Sequence, residues 1–177
     1  MEKKQCLAKY FWQVTYAHTI AYFIAGLIVL PIMNYGDLWA KDIISSFMRP
    51  IDDPIIGLGP LLQIFRGLLV ALIILPLRKT FFEEKNGLLK LGLMILGFSV
   101  LSTFAAALGS FEGYIYTKVP AKYQALGYPE AIIWLSLFIG ILHISIKYGH
   151  KKIITILPII FMILICLMSI MGYFAAI

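Results

Sequence analysis

Charged residues are scarce in this sequence. Only 14% of its 177 residues are Asp, Glu, Lys or Arg, whereas soluble domains average about 25%. Hydrophobic residues make up 61% and the mean hydropathy is +0.91. This composition excludes an ordinary soluble domain and predicts a chain embedded in a lipid bilayer, because several apolar stretches approach the roughly 20 residues that cross a membrane as a helix.

Cysteine and short catalytic motifs are also scarce. The two cysteines, Cys6 and Cys166, are far apart and form no CxxC pair, so we expect neither a disulfide framework nor a cysteine metal site. The sequence contains no GxSxG, HExxH or glycine-rich phosphate loop, which are the motifs of common hydrolases and nucleotide-binding enzymes. These absences favour a protein that is not an enzyme and holds no metal.

Five apolar stretches predict an all-helical bundle of five transmembrane spans, in one domain that covers residues 1–177. The spans cover about residues 10–33, 54–78, 88–110, 129–147 and 153–176. At about residues 37–49, polar and apolar side chains fall on opposite helical faces, which is typical of a short helix lying in the membrane interface. We expect this helix, and short helical turns after the third span, on the outer face.

The net charge of +6 predicts an orientation in the membrane. Ten of the 15 Lys and Arg residues lie in segments on the same side as the N-terminus, and four lie on the opposite side. Basic residues accumulate on the cytoplasmic side of membrane proteins, so we expect a cytoplasmic N-terminus, an outer C-terminus and a bacterial cytoplasmic membrane. The same placement of charge argues against nucleic acid as a partner.

The remaining basic residue, Arg66, falls inside the second span. A central arginine costs about 2.5 to 3.5 kcal/mol on insertion scales and usually has a partner. The second and third spans both carry small residues three or four apart, so we expect them to pack face to face. Side chains lean toward the N-terminus of their helix, so Arg66 and Glu112 should converge as an ion pair, with Gln63, Tyr114 and Tyr116 completing the hydrogen bonds.

This predicted pair has two interpretations. Arginine suits phosphate and carboxylate groups, so the pair could form an outward-facing site for an anionic lipid headgroup, a small anion or a partner protein. The chain would then be a binding, transport-associated or accessory membrane protein, associated with a second copy or a larger membrane subunit. Alternatively, the pair is structural and only fixes the helix register.

Two other function classes are open. His18 and His143 fall at matched depth in the first and fourth spans, the arrangement that a bis-histidine haem b requires in an electron-transfer protein. Glu112 is also a candidate acid or base for an intramembrane hydrolase.

Overall fold

The computed structural model describes residues 6–46, 48–103 and 105–177. Helices account for all the regular structure in these ranges. The α-helices are α1 Leu7–Met33, α2 Tyr35–Trp39, α3 Asp42–Ser45, α4 Pro54–Gly57, α5 Gly59–Ile74, α6 Arg78–Phe82, α7 Gly87–Ile95, α8 Phe111–Tyr116, α9 Ala121–Gln124, α10 Gly127–Tyr148 and α11 Lys152–Ala175. A 3-10 turn, Leu75–Leu77, joins α5 to α6, and a π-helix, Leu96–Leu101, continues α7.

Four helical stretches in the described residues are long and apolar enough to cross a membrane. They are Leu7–Met33, Gly59–Phe82, Ala121–Tyr148 and Lys152–Ala175. This helical bundle fits an integral membrane protein. The third predicted span is shorter than expected: its helix, Gly87–Leu101, is about 22 Å long at roughly 1.5 Å per residue.

Short helices occupy the two long connections. The predicted interfacial helix at 37–49 is divided between α2 and α3, with a break at Ala40 and Lys41. Phe47 and the side chains of Asp42 and Ile43, which belong to that predicted helix, lie outside the described residues. We call the end of the bundle that carries residues 34–46, 48–58, 102–103 and 105–126 the loop end, and the opposite end the turn end.

α1 is the central helix of the bundle. It packs against α5, α10 and α11, and it is buried without interruption from residue 13 to residue 21. Polar groups tie it to its neighbours: the Tyr10 hydroxyl donates to the carbonyl oxygen of Ala71 at 2.7 Å, and the Gln13 amide donates to Ser145 Oγ at 2.8 Å. A helix that is buried on all sides is a core element, so the other spans are positioned by α1.

The small residues of α5 pack against α1. A Cβ atom added at Gly67 would lie 3.0 Å from both the Cα and the carbonyl oxygen of Thr15, so the two backbones are in close contact. The prediction that the second and third spans pack face to face is therefore wrong, and α7 packs against α6 and α10. The tight turn before α7 explains this position, because a Cβ at Gly87 would lie 2.4 Å from the carbonyl oxygen of Thr80.

These contacts arrange four helices in a curved row: α5, α1, α10 and α7. The π-helix extends α7 toward the loop end and contacts α10. In the described part of the chain, α5 and the α7 to π-helix segment are joined near the turn end through α6, but they do not pack along their length. The row therefore leaves a gap between α5 and the π-helix.

Gly67→Ala should destabilise the bundle, because the added methyl group must separate α1 from α5. Gly140→Ala is the matched control, since a Cβ at Gly140 meets nothing within 4 Å and both changes improve intrinsic helix propensity by up to about 1 kcal/mol. In a thermal unfolding assay in detergent, we expect G67A to melt below the wild type and G140A to melt at or above it. Equal melting temperatures for the two variants would contradict the close α1 to α5 contact.

Candidate functional site

The gap between α5 and the π-helix forms a cleft of about 260 Å³. α1 and α10 form its floor, and π-helical segments often occur at functional sites. Its polar lining residues are Tyr22, Arg66, Ser99, Thr103, Tyr128, Glu130 and Trp134. Ala25, Val100, Leu108 and Ala131 are among the apolar residues that complete the walls, so polar groups and apolar surface meet in one concave site, as in ligand pockets.

Among the described residues, Arg66 is the only basic one that lines this cleft. It lies about 10 Å along the helix axis from Gly59, at roughly 1.5 Å per residue. Its guanidinium Cζ lies 5.8 Å from the centroid of the Trp134 ring, a cation-π contact. The side chain is exposed to the cleft, and no carboxylate among the described residues forms a salt bridge with it. Arg66 therefore contacts a neutral ring, and its positive charge remains available to bind an anion.

The predicted ion pair between Arg66 and Glu112 does not form. The chain leaves the helix at Ser102 instead of continuing to residue 110, so Glu112 is not on the same helix as the third span. It lies in the first turn of α8, whose start is capped by the Ser110 hydroxyl, which accepts from the Gly113 amide at 3.0 Å. The displaced α8 and the packing of α5 on α1 together separate the two charges.

Tyr114 and Tyr116 also lie on α8 and outside the cleft lining. Their exposed fractions are 43% and 72%, so they face away from the core. Tyr128, whose ring lines the cleft, donates from its hydroxyl to the carbonyl oxygen of Gly109 at 2.5 Å. Whether Tyr114, Tyr116 or Glu112 contacts a ligand stays a prediction.

The acidic group of the cleft is Glu130, in the first turn of α10. Tyr35 of α2 donates a hydrogen bond to its Oε2 atom. Burial, and then the hydrogen bond to Glu130 and its negative charge, raise the pKa of Tyr35, so this phenol remains protonated as a donor at neutral pH. Sequence reasoning assigned Glu130 only to the start of the fourth span and missed its position opposite Arg66.

Gln63 lies one turn from Arg66 but pairs with another residue. Its Oε1 atom is 3.0 Å from Nε2 of His18, which is fully buried. The His18 ring packs edge-on against Trp134 and Phe138, with centroid distances of 5.4 and 6.1 Å. Gln63 and His18 therefore position the Trp134 ring, which contacts the Arg66 guanidinium. Gln63 supports the site indirectly in this way.

The Nε1 donor of Trp134 lacks an acceptor among the described residues, although it is shielded from solvent. Nδ1 of His18 is also buried and has no hydrogen-bond partner in this part of the chain; because Nε2 donates to Gln63, Nδ1 is an acceptor that lacks a donor. Buried polar groups without partners are rare and call for an explanation. The Trp134 ring lines the cleft, but its Nε1 atom is shielded, so the ring meets the cleft through its carbon atoms.

The two histidines lie in different places. His18 is buried between α1, α5 and α10, whereas His143 is exposed and lines a separate cleft with Phe81, Phe82 and Glu84 near the turn end. The described residues do not bring the two imidazole rings into one cavity. The haem b alternative stays a prediction without support from this geometry.

Comparisons with protein-family models, curated proteins and solved structures find no match for this chain. The class of protein is therefore defined by its own fold and site. It is a helical bundle with several apolar helices that fit a membrane, and a cleft between two of its helices holds one exposed arginine and one glutamate.

The hydrogen bond between Gln63 and His18 can be tested with a double-mutant cycle. Gln63→Leu leaves a buried imidazole nitrogen unpaired and should cost about 1 to 3 kcal/mol of unfolding free energy. Adding His18→Phe removes the unpaired group, so the double variant should lose less than the sum of the two single changes. Denaturant unfolding in detergent measures all four proteins, and additive losses would show that the two side chains are not coupled.

Proposed function

We propose that this chain is a non-catalytic membrane protein that binds the phosphate of a lipid headgroup in the cleft at Arg66. The observation that carries the proposal is an arginine inside an apolar bundle that faces a cleft and has an aromatic ring as its neighbour. Such a protein would act as a binding, transport-associated or accessory component of the membrane. Glu112 is not needed for this function.

The chemistry of the cleft suits phosphate. Guanidinium presents several donors in a planar fork and binds phosphate or carboxylate through two parallel hydrogen bonds. Apolar walls lower the local dielectric and strengthen such a pair relative to water.

The shape of the cleft favours a lipid as the source of the phosphate. The cleft opens sideways between α5 and the π-helix, which do not pack along their length in the described residues. A headgroup can enter through this opening while its acyl chains stay beside Val100, Leu108 and the apolar outer faces of the helices. A free anion in water would not require an apolar opening on the side of the bundle.

We also propose five crossings, with the N-terminus cytoplasmic, in a bacterial cytoplasmic membrane. Contacts of Thr15 with Gly67 and of His18 with Gln63 make α5 antiparallel to α1. The hydrogen bonds of Gln13 with Ser145 and of Tyr35 with Glu130 make α10 antiparallel to α1 as well. Since α5 and α10 run in the same direction, the segment between them must return across the bundle, and Gly87–Leu101 with the residues after it makes that crossing.

The orientation can be tested by labelling single cysteines with a membrane-impermeant maleimide. In a chain with Cys6→Ser and Cys166→Ser, Lys118→Cys should be labelled in intact cells and His150→Cys only after permeabilisation. These sites belong to opposite ends of the bundle and both are exposed, so each is the control for the other. Labelling of both sites, or the reverse pattern, would contradict the orientation and the crossing count.

Replacing Arg66 should remove the bound lipid. We expect Arg66→Met to lower lipid retention by at least about tenfold, since hydrogen bonds to a charged group contribute about 1.5 to 3 kcal/mol. Native mass spectrometry measures the lipid-bound fraction after addition of a dioleoyl phospholipid to the detergent-purified protein. Arg66→Lys, which keeps the charge without the planar fork, should give an intermediate value.

Lys118→Met is the matched control for this experiment. It removes a basic group at the loop end, outside the cleft lining, and should leave the lipid-bound fraction unchanged. An R66M protein that melts like the wild type and retains the same lipid would refute the proposed function. Equal losses in R66M and K118M would indicate a general charge effect instead of a site.

A further inference from the structure

We infer that the headgroup bound in the cleft is zwitterionic, with its phosphate at Arg66 and a primary ammonium group at Glu130. The chemical class is a phosphodiester that carries a primary amine, as in phosphatidylethanolamine. This inference rests on the proposed function and specifies its ligand.

The described lining of the cleft contains one basic and one acidic side chain. Arg66 comes from α5 and Glu130 from the first turn of α10, and both line the cleft without forming a salt bridge with each other in the described residues. Tyr22 of α1 is close enough to interact electrostatically with both charges. A ligand with a single negative charge would leave Glu130 unpaired and repelled, whereas a zwitterion of matching polarity satisfies both groups.

The hydrogen bonding of Glu130 leaves room for an ammonium group. Tyr35 donates to Oε2, and none of the described residues donates to Oε1. An ionised carboxylate has about four acceptor positions, so Oε1 can accept from an ammonium N–H while the Tyr35 bond is kept. Tyr35 also holds the carboxylate against α2, which limits its ability to swing toward Arg66.

The site favours a primary over a quaternary ammonium group. Recognition of quaternary ammonium usually needs several aromatic faces around the cation, and the Trp134 ring is already in contact with Arg66. A carboxylate that accepts directional hydrogen bonds suits the three donors of a primary amine. A choline headgroup offers no such donor, and a glycerol headgroup offers no positive charge.

The test compares three dioleoyl phospholipids that differ only in headgroup: phosphatidylethanolamine, phosphatidylcholine and phosphatidylglycerol. Native mass spectrometry of the purified full-length protein with equimolar mixtures should give a preference for the ethanolamine lipid of about tenfold, the value of one charge-assisted hydrogen bond. Glu130→Gln should abolish that preference, because the amide still accepts from Tyr35 but carries no charge. Equal binding of all three lipids by the wild type would overturn the inference.

Glu112→Gln is the matched control, because Glu112 is an acidic residue at the same end of the bundle but outside the cleft lining. It should keep the wild-type preference. Tyr35→Phe keeps the charge of Glu130 but removes the hydrogen bond that holds the carboxylate against α2. It should lower the preference less than E130Q does, which separates loss of charge from loss of the Tyr35 contact. A loss of preference in E112Q equal to that in E130Q would overturn the inference.

The outcomes separate this inference from the proposed function. If R66M loses lipid while E130Q keeps the wild-type headgroup preference, phosphate binding stands and the zwitterionic inference fails. If R66M retains all lipids, both fail. The last experiment adds water-soluble glycerophosphoethanolamine as a competitor of the bound lipid. If it displaces the lipid at equal concentration, the proposal that the ligand is a lipid is wrong. If it does not displace the lipid, the result supports a membrane-embedded ligand.

Discussion

The free energy of keeping a guanidinium inside an apolar bundle is the constraint on which the site depends. Arg66 is about two helical turns from the start of α5, too far inside to be solvated as an ordinary surface residue. The bundle meets this constraint with the face of Trp134 and with access to a cleft. Because the ring is neutral, the positive charge is stabilised without being cancelled, which leaves the site suited to an anionic group.

The position of that ring depends in turn on α1. His18 is fully buried, bonds to Gln63 on α5 and packs edge-on against Trp134 on α10. One imidazole therefore connects the helix that carries Arg66 with the helix that carries its aromatic neighbour. A hydrogen bond and two ring contacts between three helices define relative positions that apolar packing alone would allow to slide.

The cleft itself results from the irregular helix at Gly87–Leu101. The helix that begins at Gly87 changes to π geometry at Leu96 and ends at Leu101, so no full-length helix covers the side of α5 that carries Arg66. The chain then folds over the loop end, where Gln124 is buried and its amide bonds to the carbonyl oxygen of Gly113 at 2.8 Å. An open cleft next to a compact loop region places polar lining residues beside an apolar entrance.

Composition and hydrophobic periodicity alone predicted the helical class, five apolar spans, of which four are long enough to cross a membrane in the structure, and the unusual position of Arg66. These features follow from transfer free energies that act residue by residue. Only the tertiary structure decided which helices meet. Small residues on α5 predict that another helix packs closely against it, but they do not identify that helix, which is α1 in the structure. The predicted ion pair of Arg66 with Glu112 failed for the same reason: packing decides which distant charges come near each other. The break at Ser102 left Glu112 on α8, whereas Glu130 of α10 lines the cleft together with Arg66.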